Sequence, residues 1–205
     1  HSPDYRTWTF HLRRDVRWHD GVPVTAHDVK FSLELMYSQP GSGVYDRPSV
    51  TVLDEFTLTF TLKKPKPQDD DLWTWDVYYP KHLLSKLDPK KFSSWEFWTH
   101  PVGNGPYRYL RHVPKTMMEL EANPDYYRGK PKIERVVLKF GGSNPLAELL
   151  SGNVDVLAYV NRADIPKLAA NPNFGVYHSM NYVWLEAIFW NHKHPLLSDA
   201  RVRRA

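Results

Sequence analysis

Residues 7–32 read TWTFHLRRDVRWHDGVPVTAHDVKFS, and their pattern predicts the secondary structure of the first part of the chain. Trp8, Phe10 and Leu12 alternate with polar residues, which is the pattern of a strand with one buried face. The turn formers Asp20-Gly21 follow, and residues 25–28, TAHD, are typical of a helix start. An apolar helical face follows at spacings of four and three, formed by Val29, Leu33 and Met36. The stretch therefore predicts a strand, a turn and a helix.

The rest of the chain mixes predicted helices and strands. A hairpin around Asp54-Glu55 is predicted over 50–53 and 57–62, which completes a small α+β unit near Lys64. Further helices are expected at 81–87, 89–97, 145–151 and 163–170. Further strands are expected at 107–112, 117–122, 136–140, 154–160, 175–179 and 184–190. The strand over 136–140 is almost wholly apolar and is predicted to be buried. The fold class is therefore α/β, in the sense of mixed α+β.

Composition narrows the function classes. The 205 residues include 27 Lys and Arg against 23 Asp and Glu, a net charge of +4, and 41% are hydrophobic. This balance indicates a folded chain rather than a disordered one. The absence of cysteine excludes disulfides, thiolate catalysis and Cys-ligated zinc. The two basic clusters, 63–66 and 201–204, are too short to predict nucleic-acid binding. No apolar run is long enough for a membrane span, and no signal peptide is expected within this sequence.

Motifs for catalysis are absent from the sequence. There is no Gly-x-Ser-x-Gly elbow and no Ser-x-x-Lys. A glycosidase pair would have to come from the separated carboxylates of Glu148, Asp155 and Glu186. His192 and His194 are expected to be an exposed loop pair. We therefore expect no catalytic residue, no metal site and no cofactor, which leaves recognition. The 8 Trp and 12 Tyr residues fit either an aromatic binding groove or an aromatic core.

Five ordered motifs carry a family resemblance. They are residues 7–32, then PVGNGPY at 101–107, NPDYYRGKP at 123–131, LLSGNVD at 149–155, and WN at 190–191 followed by PLLSDARVRRA at 195–205. Together they closely resemble family 5 extracellular solute-binding proteins, the peptide, dipeptide and nickel receptors of ABC importers. One departure is Tyr127, where the family usually has Trp. The resemblance spans nearly the whole chain.

The resemblance implies a periplasmic-binding-protein-like fold with two lobes, of which this chain is an internal portion. Residues 1–64 are expected to form an accessory α+β subdomain, 65–141 part of the first lobe, and 142–205 the beginning of the second lobe. Most residues that set specificity are expected outside this portion.

The resemblance also implies a function. The protein is expected to be the noncatalytic, substrate-binding component of an ABC importer. It would capture an oligopeptide-like solute in the interlobe cleft and deliver it to the permease, at the periplasmic or extracellular face of the membrane. Membrane association would come through the transporter or a lipid anchor outside the chain. Alternatives are an oligosaccharide or nickel-chelate receptor, a carbohydrate-active enzyme, and an intracellular regulator with a solute-binding domain.

Candidate ligand-binding residues come from the same resemblance. An aromatic near Tyr45 reaches from the accessory subdomain toward the ligand. Tyr182, Trp184 and Glu186 alternate on a predicted strand that runs beside the cleft in relatives. The opposite face of that strand is wholly apolar and suits a core, so the even-numbered face is expected to meet the ligand; a merely solvent-exposed face is the alternative.

The consecutive glycines Gly141-Gly142 are predicted to be a hinge. They directly follow a predicted strand, and glycine admits backbone angles that other residues avoid. A plain strand-to-helix loop is the alternative.

Overall fold

The computed structural model of the chain describes residues 1–39, 47–66, 77–142 and 144–177. The chain divides into two units, His1–Gly141 and Gly142–Ala205, which are described separately. Within the described ranges no helix has the length and apolar character that crossing a bilayer requires.

The first unit begins with an antiparallel sheet in the order β1-β3-β2, made of β1 (Thr7–His11), β2 (Ser49–Asp54) and β3 (Thr57–Thr61). Trp8 lies opposite Phe60 and Phe10 opposite Leu58, so the apolar side chains share one face. Helix α1 (Ala26–Ser38) completes the core beneath that face. The other face is lined by threonines: Thr7, Thr9, Thr51, Thr57, Thr59 and Thr61. The predicted strand, helix and hairpin are confirmed.

Two polar residues of α1 attach the segment around residue 80 to the helix. The Asp28 carboxylate accepts hydrogen bonds from the Thr25 backbone N–H at 2.8 Å and from the Lys81 N–H at 2.9 Å, and the residue is only 4% exposed. One turn later, the fully buried Ser32 hydroxyl accepts a bond from the Tyr79 N–H at 2.7 Å. These bonds position the short helix α2 (Lys81–Leu84), which is shorter than the predicted 81–87.

The predicted helix over 89–97 is wrong. Two short 3₁₀ turns, Pro89–Ser94 and Glu96–Thr99, occupy this region. Trp95 lies between them in an extended conformation, with φ −64° and ψ 136°. Its buried ring packs with Leu35 and Leu84, and its indole N–H donates to the Asp88 carbonyl at 3.0 Å. Tertiary packing of this ring therefore interrupts the helical pattern.

A second antiparallel sheet contains β4 (Tyr107–Val113), β5 (Met117–Ala122) and β6 (Arg135–Lys139), in that order. Ion pairs between Arg108 and Glu121 and between Arg111 and Glu119 connect β4 to β5 on one face. Strand β6 lies where predicted, but the expectation that it is buried is wrong for this chain. Val137 and Leu138, whose side chains point to opposite faces of the sheet, are 45% and 42% exposed, so neither face of β6 is buried.

The second unit contains helix α3 (Pro145–Leu150), a 3₁₀ turn (Arg162–Asp164) and helix α4 (Ile165–Ala169). The strand predicted over 154–160 does not form. The Val154 N–H donates back to the Glu148 carbonyl at the end of α3, and Val156 and Tyr159 are 81% and 92% exposed. Residues 175–177 are not a strand either. The remainder of that predicted strand and the one over 184–190 lie outside the described residues.

Candidate functional site

Three of the sequence motifs meet at one backbone carbonyl in the first unit. The Gly105 oxygen accepts a hydrogen bond from His19 Nε2 at 3.1 Å and another from Asn123 Nδ2 at 3.2 Å. The three residues belong to motifs that are 86 and 18 positions apart in sequence. The motifs that carry the family resemblance therefore form one connected structure.

His19 binds the 103–105 loop with both ring nitrogens. Its Nδ1 accepts the Gly103 N–H at 3.2 Å, so its Nε2 carries the proton that is donated to Gly105. This is the neutral imidazole with the proton on Nε2. Burial lowers the pKa of His19 below its usual range, and the nearby Arg108 guanidinium lowers it further, against the opposing effect of the Gly105 carbonyl. The ring is therefore neutral near pH 7.

The close approach of His19 explains the glycine at position 103. A Cβ atom at Gly103 would lie 3.3 Å from His19 Cε1, closer than ordinary van der Waals contact. The backbone also bonds here, since the His19 N–H donates to the Gly103 carbonyl at 2.7 Å. A side chain at position 103 would push the loop away from the imidazole.

Asn123 connects the loop to the third motif from its other side. The residue is 6% exposed, and its side-chain oxygen accepts the Asp125 N–H at 3.0 Å. Its own backbone N–H donates to the Pro106 carbonyl at 2.8 Å. This turn delivers Tyr126 and Tyr127 to the same region as the 103–105 loop.

A cavity of about 440 Å³ opens beside this junction, and we call it the β1–β3 cavity. Its lining combines core side chains of the first sheet and α1 with residues of all three motifs: Phe10, Leu12, Arg13, Val16, Val24, Val29, Leu58, Phe60, Tyr78, Asn104, Gly105, Tyr126 and Tyr127. Leu58 and Phe60 are almost completely buried. The volume lies in the range of small-molecule pockets, and the lining is mainly apolar.

Cationic groups lie beside the cavity but are already engaged. The Arg13 guanidinium donates two hydrogen bonds to the Asp15 carboxylate, at 3.0 and 2.6 Å. These bonds hold the pKa of Asp15 below its usual range. Arg13 also lies 5.0 Å from the centre of the Tyr127 ring, and Arg128 lies 5.5 Å from it. Tyr127 thus presents an aromatic face to both cations.

This arrangement favours packing and recognition over catalysis. The walls of the cavity are mainly apolar, and Asn104, Tyr126 and Tyr127 also line it. In the described ranges no group of three or more His, Asp or Glu side chains is placed to hold a metal ion.

The predicted ligand-binding residues Tyr45, Tyr182, Trp184 and Glu186 all lie outside the described residues. The predicted hinge glycines are described. Gly141 has φ 75° and Gly142 has φ 111°, both in the region that favours glycine. The boundary between the two units lies between Gly141 and Gly142. The ligand-binding and hinge roles stay predictions.

The sequence analysis did not single out the residues that organise the junction. His19 and Asn123 lie within recognised motifs, but the Gly105 carbonyl that both of them bind is 86 and 18 positions away in sequence. Asp28 and Ser32 had a local signal: they are four residues apart on the same side of α1, which otherwise presents apolar residues there. Buried polar residues at such positions are hydrogen-bonded to another segment.

Comparison with known proteins establishes the family. Residues 1–205 match the family described as "Bacterial extracellular solute-binding proteins, family 5 Middle". The chain therefore belongs to family 5 of the bacterial extracellular solute-binding proteins. The predicted family and the periplasmic-binding-protein-like fold are confirmed, as is the predicted periplasmic or extracellular location.

Individual relatives bind different solutes. A putative ABC transporter peptide-binding protein of Brucella ovis is 31% identical over 100% of this chain and 40% of its own length. The crystal structure of NikZ from Campylobacter jejuni in complex with Ni(L-His) has a TM-score of 0.78 and is 30% identical. That alignment covers 99% of this chain and 41% of NikZ. The structure of AppA from Bacillus subtilis in complex with a nonapeptide has a TM-score of 0.67 and is 25% identical. That alignment covers 74% of this chain and 32% of AppA. The chain thus spans about 40% of the length of the curated relatives that it matches first.

Proposed function

We propose that this chain is the middle portion of the substrate-binding component of an ABC importer, which captures an oligopeptide-like solute in its interlobe cleft. The match of residues 1–205 to family 5 carries the proposal. The peptide preference is supported by the Brucella ovis relative, which is named as a peptide-binding protein and aligns with the entire chain. Relatives in this family are solute-binding proteins, which supports a noncatalytic role.

Delivery to a permease is the second part of the proposal. In a two-lobed receptor the ligand favours the closed state, and a membrane partner that prefers this state discriminates loaded from empty receptor. Gly141-Gly142 would serve as the hinge, because both residues already have positive φ angles at the division between the units. Stimulation of transporter ATPase activity by the loaded full-length protein, but not by the empty protein, tests this part.

A nickel chelate is the second candidate ligand. The NikZ complex with Ni(L-His) resembles this chain over 99% of its length. The oligosaccharide alternative has no comparable support. Calorimetry on the full-length protein with a peptide library, with NiCl₂ plus L-histidine, and with cello-oligosaccharides separates the three. We expect saturable binding of peptides; saturable binding of only the nickel complex or only sugars would overturn the ligand class.

The proposed ligand residues can be tested separately from the ligand class. Tyr182→Ala should weaken binding of the preferred ligand, because an aromatic ring that packs on a solute is worth about 1 kcal/mol or more. Tyr177→Ala is the matched control, since Tyr177 is 95% exposed in the same unit. Equal affinity of the two variants would remove Tyr182 from the site without changing the proposed class of protein.

A further inference from the structure

The hydrogen bonds between His19 and the 103–105 loop depend on the protonation state of the imidazole. Nδ1 accepts the Gly103 N–H at 3.2 Å, while Nε2 donates to the Gly105 carbonyl at 3.1 Å. The ring can accept a hydrogen bond only while it is neutral, because both nitrogens carry protons in the imidazolium form. A proton added to Nδ1 would face the Gly103 N–H, so that two donors would meet. The observed contacts therefore require the neutral ring.

The surroundings of the ring also favour its neutral form. Burial of the imidazole is the largest cause that lowers the pKa of His19, and the Arg108 guanidinium lowers it further. The carbonyl that the ring binds and the Asp20 carboxylate act in the opposite direction. Arg108 itself donates a hydrogen bond to Glu121 at 2.6 Å. A protonated His19 ring is therefore better accommodated in solvent than against the loop.

Other contacts hold the ends of the loop whatever the charge of the ring. The His19 backbone N–H donates to the Gly103 carbonyl at 2.7 Å. Asn123 donates from its side chain to the Gly105 carbonyl and from its backbone N–H to the carbonyl of the following residue. Loss of the two imidazole contacts would therefore loosen the loop around Asn104 without detaching it from the first unit.

We propose that His19 is a proton-controlled clamp on the 103–105 loop. The neutral ring holds the loop at two atoms. The protonated ring turns away, which frees the Gly103 N–H and allows Asn104 to move at the wall of the β1–β3 cavity. Acid favours this released state because it binds the added proton and the clamped state does not. The clamp acts within the first unit, whatever solute the full-length protein binds.

Amide hydrogen exchange in the full-length protein at pH 7.5 and pH 5 tests the clamp. Protection is expressed relative to an unstructured amide at the same pH, which removes the pH dependence of the exchange chemistry. Protection of the Gly103 N–H should fall by at least about threefold at pH 5, as expected for the loss of one neutral hydrogen bond. Protection of the Asn123 N–H and of the β3 amides, which donate to main-chain carbonyls, should fall by less. Unchanged protection at Gly103 would overturn the proposal, as would an equal loss at β3, which would indicate general unfolding.

Two variants test whether His19 is the group that binds the proton. His19→Leu cannot titrate, so its Gly103 N–H should be poorly protected at both pH values. His82→Gln removes a second imidazole, whose Nε2 lies 2.7 Å from the Asp20 carboxylate, and should keep the wild-type difference between the two pH values. A difference that persists in His19→Leu, or that disappears in His82→Gln, would refute the role of His19.

Crystal structures of the wild-type full-length protein at the two pH values give a readout that needs no variant. The His19 ring should contact Gly103 and Gly105 at pH 7.5 and should have turned away from both at pH 5. A ring that keeps both contacts at pH 5 would overturn the proposal.

Discussion

Replacing His19 by Leu should detach the 103–105 loop from the first motif. The substitution removes the acceptor of the Gly103 N–H and one of the two donors to the Gly105 carbonyl. Asn123 still donates a hydrogen bond to the Gly105 carbonyl, so the main effect is that the Gly103 N–H loses its acceptor. The size of the side chain is roughly kept, which separates the loss of hydrogen bonds from the creation of a cavity.

The two lost hydrogen bonds of His19 determine the expected loss of stability. Each neutral hydrogen bond contributes about 0.5–1.5 kcal/mol net, and a half-buried N–H left without a partner adds to the loss. We therefore expect His19→Leu to lower the free energy of unfolding by about 2 kcal/mol, which is about a 30-fold change in the unfolding equilibrium. His19→Asn should lose less, because its side-chain oxygen can still reach toward the Gly103 N–H.

Urea unfolding of the full-length protein measures the global effect, and hydrogen–deuterium exchange over residues 101–107 measures the local one. His27→Leu is the control, since His27 is exposed in the first turn of α1 and makes none of these contacts. Exchange over 101–107 should accelerate only in the His19 variants. If His19→Leu matches His27→Leu in both readouts, the imidazole does not hold the loop and the reasoning fails.

The protein should also lose stability in acid because of His19. The pKa of His19 is lowered in the folded state, so the unfolded state binds a proton that the folded state does not. The free energy of unfolding should therefore decrease as the pH falls below about 6.5. Unfolding curves from pH 7.5 to 5 should show this loss for wild type and a smaller one for His19→Leu; parallel curves would contradict it. Asp28→Ala should destabilise the full-length protein by about 3 kcal/mol in urea, because a buried carboxylate that bonds two backbone N–H groups is removed; a loss below about 1 kcal/mol would show that water replaces it. Gly142→Val should cost about 1–3 kcal/mol of strain at φ 111° and reduce the ligand-induced change in small-angle scattering, whereas an unchanged response would argue against a hinge. Trp184→Ala should weaken ligand binding by at least about 1 kcal/mol in calorimetry, and unchanged affinity would remove Trp184 from the site.

Sequence pattern was sufficient where the decisive interactions are local. In β1 and β3 apolar residues alternate with polar residues, mostly threonine, which allows one arrangement of the faces, because a shift of one residue would bury the polar side chains. Helix α1 was likewise predictable from the TAHD start and the apolar spacing. The family was recognisable for a related reason. Its motifs are short stretches of sequence in a fixed order, and they can be identified without knowing which of them are in contact in the folded chain.

Prediction from sequence failed where distant packing outweighs local preference. The apolar and aromatic residues of 89–97 satisfy a helical pattern, yet Trp95 adopts an extended conformation to reach Leu35 and Leu84. Residues 154–160 have the composition of a strand, but the hydrogen bonds of Asn153 and Val154 return to α3 instead. A strand also requires a neighbouring strand with which to pair, and the composition of a segment does not determine whether such a strand is present.

The amino-acid sequence was enough to predict the class of protein and the first sheet with its helix. That His19, Gly105 and Asn123 form one junction, and that this junction lies beside an apolar cavity, is visible only in the folded chain. Sequence cannot predict such a junction, because every residue has the same backbone carbonyl. Which donors reach that carbonyl depends on how segments 86 and 18 residues apart are folded together.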